Sequence, residues 1–184
     1  MARWFLEPGH TAAEFCVRHM MVTYVRGHFK NVHGNLDFDD EDPARGTVEV
    51  TIDARGLWTG EPERDAHLRS ADFLDVERHP EIRYSGRVTR VLGASDYQIL
   101  GDLTIRGVTR PVPLDVRCTG HWSTPWWEGG VDLGPKLRSG FIATARIDRR
   151  DFGVSWNSPL EGGGFVVGHD VEITVDAEAI LVTE

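Results

Sequence analysis

The sequence predicts an all-β fold, eight antiparallel strands closed into a barrel, with one short helix in the connection at residues 55–80. Three observations carry this expectation. Apolar residues recur with period two along most of the chain, the pattern of half-buried strands. The links between these segments are mostly short and rich in turn formers. One stretch, "ERDAHLRSADFLD" at residues 63–75, abandons the alternation for dense charge.

In chain order, "EFCVRH" puts Phe15, Val17 and His19 on one side. Between Val25 and Phe38 the phase changes once. Val25, Gly27 and Phe29 share one parity, while Val32, Gly34, Leu36 and Phe38 take the other. An extra residue near Lys30–Asn31 restores both halves to one face, so a long strand bent by a β-bulge is expected. "GTVEVTID" directs Val48, Val50 and Ile52 inward. The polar stretch then opens with Pro62 at a first helical position and has Asp65 and Arg69 at i and i+4. Leu68, Ala71, Phe73 and Leu74 supply its apolar stripe, and His79 before Pro80 returns the chain to extended backbone. Such a helix can bury its stripe only in a barrel mouth, so it is expected to be a plug.

"IRYSGRV" then turns Ile82, Tyr84, Gly86 and Val88 inward, and "YQILGDLTI" does so with Tyr97, Ile99, Gly101, Leu103 and Ile105. "PVPLDVRC" contributes Val112, Leu114, Val116 and Cys118, and "GFIATARID" contributes Phe141, Ala143, Ala145 and Ile147. "VEITVDAEA" ends the series with Val171, Ile173, Val175, Ala177 and Ala179. Local connections such as "GAS" at 93–95 and "RGVT" at 106–109 favour an up-and-down barrel over a sandwich. Closure also removes exposed strand edges.

A chain of 184 residues suits one domain, here 1–184. Twenty Lys and Arg against 29 Asp and Glu leave a charge of −9. With no basic run to set against that charge, nucleic acid is not an expected partner. No apolar run approaches the roughly 20 residues of a membrane span. The start "MARWFLEPGHTAAEF" lacks an apolar leader and a small-residue cleavage site, so a cytoplasmic protein is expected. Cys16 and Cys118 read as two buried free thiols.

The chemistry-bearing residues are sparse. The histidines show neither HxH nor HExxH spacing and there is no CxxC, so no metal site and no cofactor are expected. No serine sits in a G-x-S-x-G elbow. "EGGGF" at 161–165 reads as a rim loop. "RIDRRDFG" reads as a solvated corner, with Phe152 and Trp156 near it closing the barrel end or touching a ligand. His19 is either a core histidine bonded to a neighbour or a head-group contact. Arg69 and His67 either meet a phosphate at the mouth or, with Arg64 and Asp65, tie the plug to the rim. Small inward residues (Gly86, Gly101, Gly120, Ala143, Ala145 and Ala177) leave volume, and a bare void costs packing energy. Large neighbours or a ligand must fill it.

Several segments together resemble the YceI-like family, over about residues 4–180 and in the family's order: "HTAAEFCVRHMMV", "VRGHFKNVHGNLDF", "RDAHLRSADFLDVERHPEIRY", "YQILGDLTIRGVTRPVPLDV" and "RIDRRDFGVSWN". The most specific piece is the RD-x-HL-x-S-x-DF block followed by HP-x-I. The resemblance implies a lipocalin-like, elongated barrel whose lumen binds a long-chain isoprenoid lipid of the polyprenyl phosphate or isoprenoid quinone type. It supplies no catalytic residue, so an enzyme is not expected. Candidate ligand contacts are Phe15, Val17, His19, Phe29, Val50, Leu68, Arg69, Phe73, Tyr84, Ile99, Leu103, Leu114, Phe141, Ala143, Phe152 and Trp156. The alternative is an enzyme acting on an apolar substrate, with His19 or the Asp65, His67 and Arg69 cluster as acid or base. Many family members are periplasmic, a pattern from which the leaderless start departs. "STPWWEGGVDLGPKLRSGF" is a longer and more aromatic link than the family leads one to expect, and its Trp122, Trp126 and Trp127 are expected to reshape one mouth. Exposed strand faces and the resemblance both leave room for a homodimer.

Overall fold

The computed structural model describes residues 1–182. Its strands are β1 (Ala2–Leu6), β2 (Ala12–His19), β3 (Thr23–Phe29), β4 (Val32–Phe38), β5 (Thr47–Asp53), β6 (Leu57–Trp58), β7 (Glu81–Val91), β8 (Asp96–Ile105), β9 (Val108–Glu128), β10 (Val131–Asp148) and β11 (Val167–Leu181), with one helix, α1 (Pro62–Arg69). All neighbouring strands are antiparallel, and a β1–β11 pairing closes the ring.

These segments form eight staves. β1 and β2 both lie along β11, paired at Trp4–Leu181 and at Ala13–Val175, so they are two lengths of one interrupted strand. Buried Thr11 bridges the gap, its hydroxyl accepting from the Glu178 N–H at 3.2 Å. β3 and β4 are likewise two lengths of the next stave, one beside β2 and the other beside β1. Every stave neighbours the next in sequence, the up-and-down order that the short links suggested.

Three expectations change. The stave from Val25 to Phe38 breaks outright at Lys30–Asn31, with Asn31 at φ 58°, in place of a single-residue bulge. Both halves still face inward, as Phe29, Val32, Leu36 and Phe38 are all buried. Residues 2–6 form a strand that was not anticipated, because Pro8 and Gly9 cut it off from the alternation after it. The aromatic link is a strand pair. β9 and β10 run on past the barrel and turn at Gly129–Gly130, both at positive φ as a two-residue hairpin turn requires. β9 last pairs with β8 at Arg117–Asp96 and β10 first pairs with β11 at Arg138–Ile180, so the lengths beyond are paired as strands with each other. We call this two-stranded extension the arm.

The interior has two clusters. One, around Phe29, Leu57, Phe73, Val76 and Phe152, lies beneath α1. The other, around Trp4, Leu36, Phe38, Tyr97 and Cys118, lies at the end from which the arm projects. Two inward glycines do not leave the space expected of them. A Cβ on Gly101 would stand 2.6 Å from Cζ of Tyr84 and 2.6 Å from Cα of Gly86, so the Tyr84 ring fills the place of both missing side chains. Gly120 has nothing near it and does not line the interior. Of the two thiols, both free, Cys118 is buried and Cys16 only half-buried.

Candidate ligand tunnel

Inward parity on every stave leaves a cavity of about 290 Å³ along the barrel axis. Its wall takes residues from both clusters, Leu68, Phe73 and Phe152 beneath α1 and Phe38, Val88 and Tyr97 at the opposite end, so it spans the barrel's length as a tunnel. Phe15, Val17, Phe29, Val50, Tyr84, Ile99, Leu103, Leu114, Phe141 and Ala143 complete the predicted residues that border it. The small wall residues are alanines (Ala143, Ala145 and Ala177), which keep the bore open where the glycines are filled.

Three predicted residues do not line it. His19 ends β2, half-buried and paired in register with Val167 and Thr23. Arg69 donates from Nε to the Arg55 carbonyl at 2.9 Å and from Nη2 to that of Leu57. Trp156 packs outside the wall, 5.3 Å from the Phe73 ring and 4.8 Å from His67 between centroids.

The charged block around α1 is now explained residue by residue. Asp65 is 4% exposed, and its carboxylate accepts from the Thr59 N–H at 2.9 Å and the Thr59 hydroxyl at 2.5 Å. Arg64 donates to the same hydroxyl at 2.7 Å, so the Arg-Asp pair pins β6 to the helix start. His67 Nε2 meets Asp72 at 2.9 Å, and its ring stands edge-on to Phe73 and Trp156. The Ser70 hydroxyl donates to the His67 carbonyl at 2.7 Å and ends the helix. Leu68 alone of the helix reaches the tunnel; Ala71 is exposed, and Phe73 and Leu74 come from the turn that follows. The plug is therefore half helix and half turn, and its polar side chains bind protein.

Polar chemistry on the wall is scarce. The Tyr84 hydroxyl donates to the Val112 carbonyl at 3.0 Å, and burial pushes that phenol well above its ordinary range. Of the charged residues bordering the cavity, Glu14 and Arg83 are exposed and Asp37 half-exposed. Arg149 is 5% exposed. It sits in a 3-10 turn, Arg149–Phe152, at the end of β10, and the reading of this segment as a solvated corner fails for it. The guanidinium donates to the carbonyls of Gly168 (2.7 Å), Val154 (2.7 Å) and Val167 (3.2 Å), and burial draws its pKa down. A signal was present: Arg149 has the parity of Ala145 and Ile147, both on the tunnel wall.

At the opposite end, Phe38 stands edge-on to Tyr97 at 5.5 Å and to Phe141 at 5.7 Å. His121 at the base of the arm meets Asp40 at 2.9 Å and lies over Trp4. Cys118 approaches the same nitrogen, Nε2, at 3.8 Å, so the group lacks the two-sided histidine of a nucleophilic triad.

Comparison with known proteins places this geometry. The family model of the YceI-like domain matches residues 4–179. A relative described as a UPF0312 protein, from Serratia proteamaculans, is 34% identical over 172 residues, covering 93% of this chain and 81% of the relative. Among solved structures, Burkholderia cenocepacia BcnA superposes with a TM-score of 0.74 at 19% identity, covering 94% of this chain and 98% of that one. A polyisoprenoid binding domain from Saccharophagus degradans superposes with a TM-score of 0.67 at 12% identity, covering 99% and 100%. At these identities the two structures show a shared fold.

Proposed function

The chain belongs to the YceI-like family, and from that premise we propose that it binds a long-chain isoprenoid lipid in the barrel lumen, as a carrier, store or sequestering protein. The observation that carries this reading is the continuous apolar wall from the plug to Phe38 and Phe141. A neighbour of the same fold is described as a polyisoprenoid binding domain, which adds support. Each buried CH₂ contributes about 0.8 kcal/mol, so a long tail alone supplies high affinity. Chain ordering offsets a large share of that gain. Catalysis is the weaker reading, because Asp65, His67 and Arg69 are spent on Thr59, Asp72 and backbone carbonyls, away from the lumen.

Mass spectrometry of the natively sprayed protein, followed by organic extraction, tests the proposal. The expected result is one polyisoprenoid per chain, with added lipid bound at least about tenfold more weakly by Ala143→Trp, which fills the bore. A protein that carries no lipid and refuses added polyprenyl phosphates, polyprenols and quinones would overturn it.

A further inference from the structure

Two hairpin tips in this molecule place consecutive residues at positive φ, and they do so with opposite chemistry. The arm turns on Gly129 and Gly130, which take that conformation without a steric penalty. The turn between β2 and β3 uses Met20 (φ 48°) and Met21 (φ 62°), closed by the Val22 N–H on the His19 carbonyl at 3.2 Å. Left-handed backbone is unfavourable for bulky side chains, and Asn-Gly is the usual choice for such a turn. Burial does not offset the strain, because Met20 is 46%, Met21 43% and Val22 81% exposed. Protein contacts nevertheless hold the turn. The Met20 N–H donates to the Val166 carbonyl at 2.7 Å, and the Met21 carbonyl accepts from the Arg18 guanidinium. Three apolar side chains are thus fixed outward at the plugged end, where His19 pairs with Val167 and Val167 packs on the cluster beneath α1.

The charge around this tip is equally unlike the rest of the chain. From Phe15 to Leu36 there is no Asp or Glu, although the whole chain carries 29 of them and a net charge of −9. Behind the apolar residues stand Arg18 and Arg26, both exposed, with their guanidinium carbons 5.3 and 6.0 Å from the centre of the Tyr24 ring. Among the described residues neither arginine forms an ion pair with a carboxylate. The acids of the neighbouring β11 face Arg146, which binds Asp170 at 2.6 Å and stands in register with Glu172. Glu161 is the one acid of the adjoining loop, residues 157–166. An apolar tip backed by an aromatic ring and two cations matches the layers of a bilayer. Acyl chains take the tip, the interface takes the Tyr24 ring, and anionic head groups take the arginines.

We propose that the His19–Val22 turn is a membrane-docking tip, which seats the plugged end of the barrel on an anionic lipid bilayer. The proposal rests on the lumen reading above, since a carrier of a membrane lipid has to meet the membrane, and it adds which end makes that contact.

The test is flotation of the full chain with vesicles of phosphatidylcholine alone and of phosphatidylcholine mixed with phosphatidylglycerol. Two basic side chains at the surface predict at least about tenfold tighter binding to the mixture, weakened by high salt. Replacing Met20→Asn together with Met21→Gly gives the turn its preferred residues and removes the apolar tip. Binding to the mixture should then fall by about tenfold or more, while the thermal midpoint holds or rises, so the loss is not one of folding. Arg26→Gln should lose about fivefold on the mixture and little on phosphatidylcholine alone. Trp122→Ser with Trp127→Ser, at the opposite end, should leave binding within about twofold. Equal binding by the parent and the tip variant, or loss only in the tryptophan variant, overturns the docking tip and leaves the lumen reading intact. A parent that ignores both vesicles also overturns it; if that parent dimerises and the tip variant does not, the tip serves a second copy of the chain instead. Refusal of added polyisoprenoids by a chain that still floats with vesicles overturns the lumen reading alone.

Discussion

The two ends of the barrel solve opposite problems. Beneath α1 the chain must cross a mouth, and it does so with polar side chains whose partners are all protein: Asp65 on Thr59, Arg106 on Phe73 and Gly153, and Arg149 on three carbonyls. At the other end β9 and β10 simply continue into solvent, with Trp122 77% and Trp127 63% exposed. A crossing must satisfy backbone groups away from water, which selects Arg and Asp at particular places. A projecting hairpin satisfies its inner edges itself and is under no such demand. The difference teaches that sequence density of charge, not of aromatic residues, marks the constructed end of this molecule.

If that comparison holds, lesions at the plugged end should be costly in proportion to burial. Phe152 is 1% exposed and borders the tunnel. Phe152→Ala should cost about 3–5 kcal/mol in urea unfolding. A loss below about 1 kcal/mol would mean that this end has no fixed core. Asp65→Ala should come next, at about 1–3 kcal/mol, because it leaves the Thr59 N–H and hydroxyl without their acceptor. Hydrogen exchange at the Thr59 amide checks the mechanism: it should accelerate in Asp65→Ala and recover in part in Asp65→Asn.

How much of this was legible follows the same divide. Parity along each strand assigned most of the tunnel wall between Phe15 and Ala177, with His19 and Cys118 of the same parity lying off it, because a closed barrel leaves each side chain only two directions. It also pointed Arg149 inward. The expectation that charge stays in water overrode that signal, since the carbonyls that receive Arg149 lie in other segments, Val154 and Val167–Gly168. Arg69 failed for the related reason that its acceptors, Arg55 and Leu57, are backbone atoms and have no sequence signature. Gly86 and Gly101 suggested open volume, but only the pairing of β7 with β8 brings the Tyr84 ring across them. The arm was hidden by Pro125, Gly134 and Pro135, which read as a loop although the first and last of these pair with each other. The RD-x-HL-x-S-x-DF block was the most informative stretch, since a chain that must plug a barrel has few ways to do it.

A smaller effect probes the corner beside Arg149. Arg150 holds the Asp148 carboxyl down at about 2 by hydrogen bonding, below the usual value near 4. A depressed folded value stabilises the fold above the unfolded pKa, so the contribution is full at neutral pH and is lost as pH falls from about 4 through 2. Both groups lie near water, so the effect is modest. Acid unfolding of Asp148→Asn should show a shallower slope in that window than the parent protein.

The smallest effect expected is the sharpest test of the comparison. Replacing residues 124–136 by Asn-Gly would join Ser123 to Leu137, which already face each other across the arm. The two-residue loop suits an antiparallel pair, so the shortened hairpin can close without strain. An isolated two-stranded ribbon adds little stability in water, and the removed length pairs with neither β8 nor β11. The urea midpoint should therefore move by no more than about 0.5 kcal/mol equivalent, the range of ordinary surface changes. The shortening removes Trp126, whose ring lies 5.1 Å from the Arg138 guanidinium, and the Thr124 hydroxyl that accepts from Arg138 Nε at 2.6 Å, but Arg138 keeps its ion pair with Glu178. A loss of 2 kcal/mol or more would show that the arm braces the barrel from outside, and the contrast between a built end and a free one would fall.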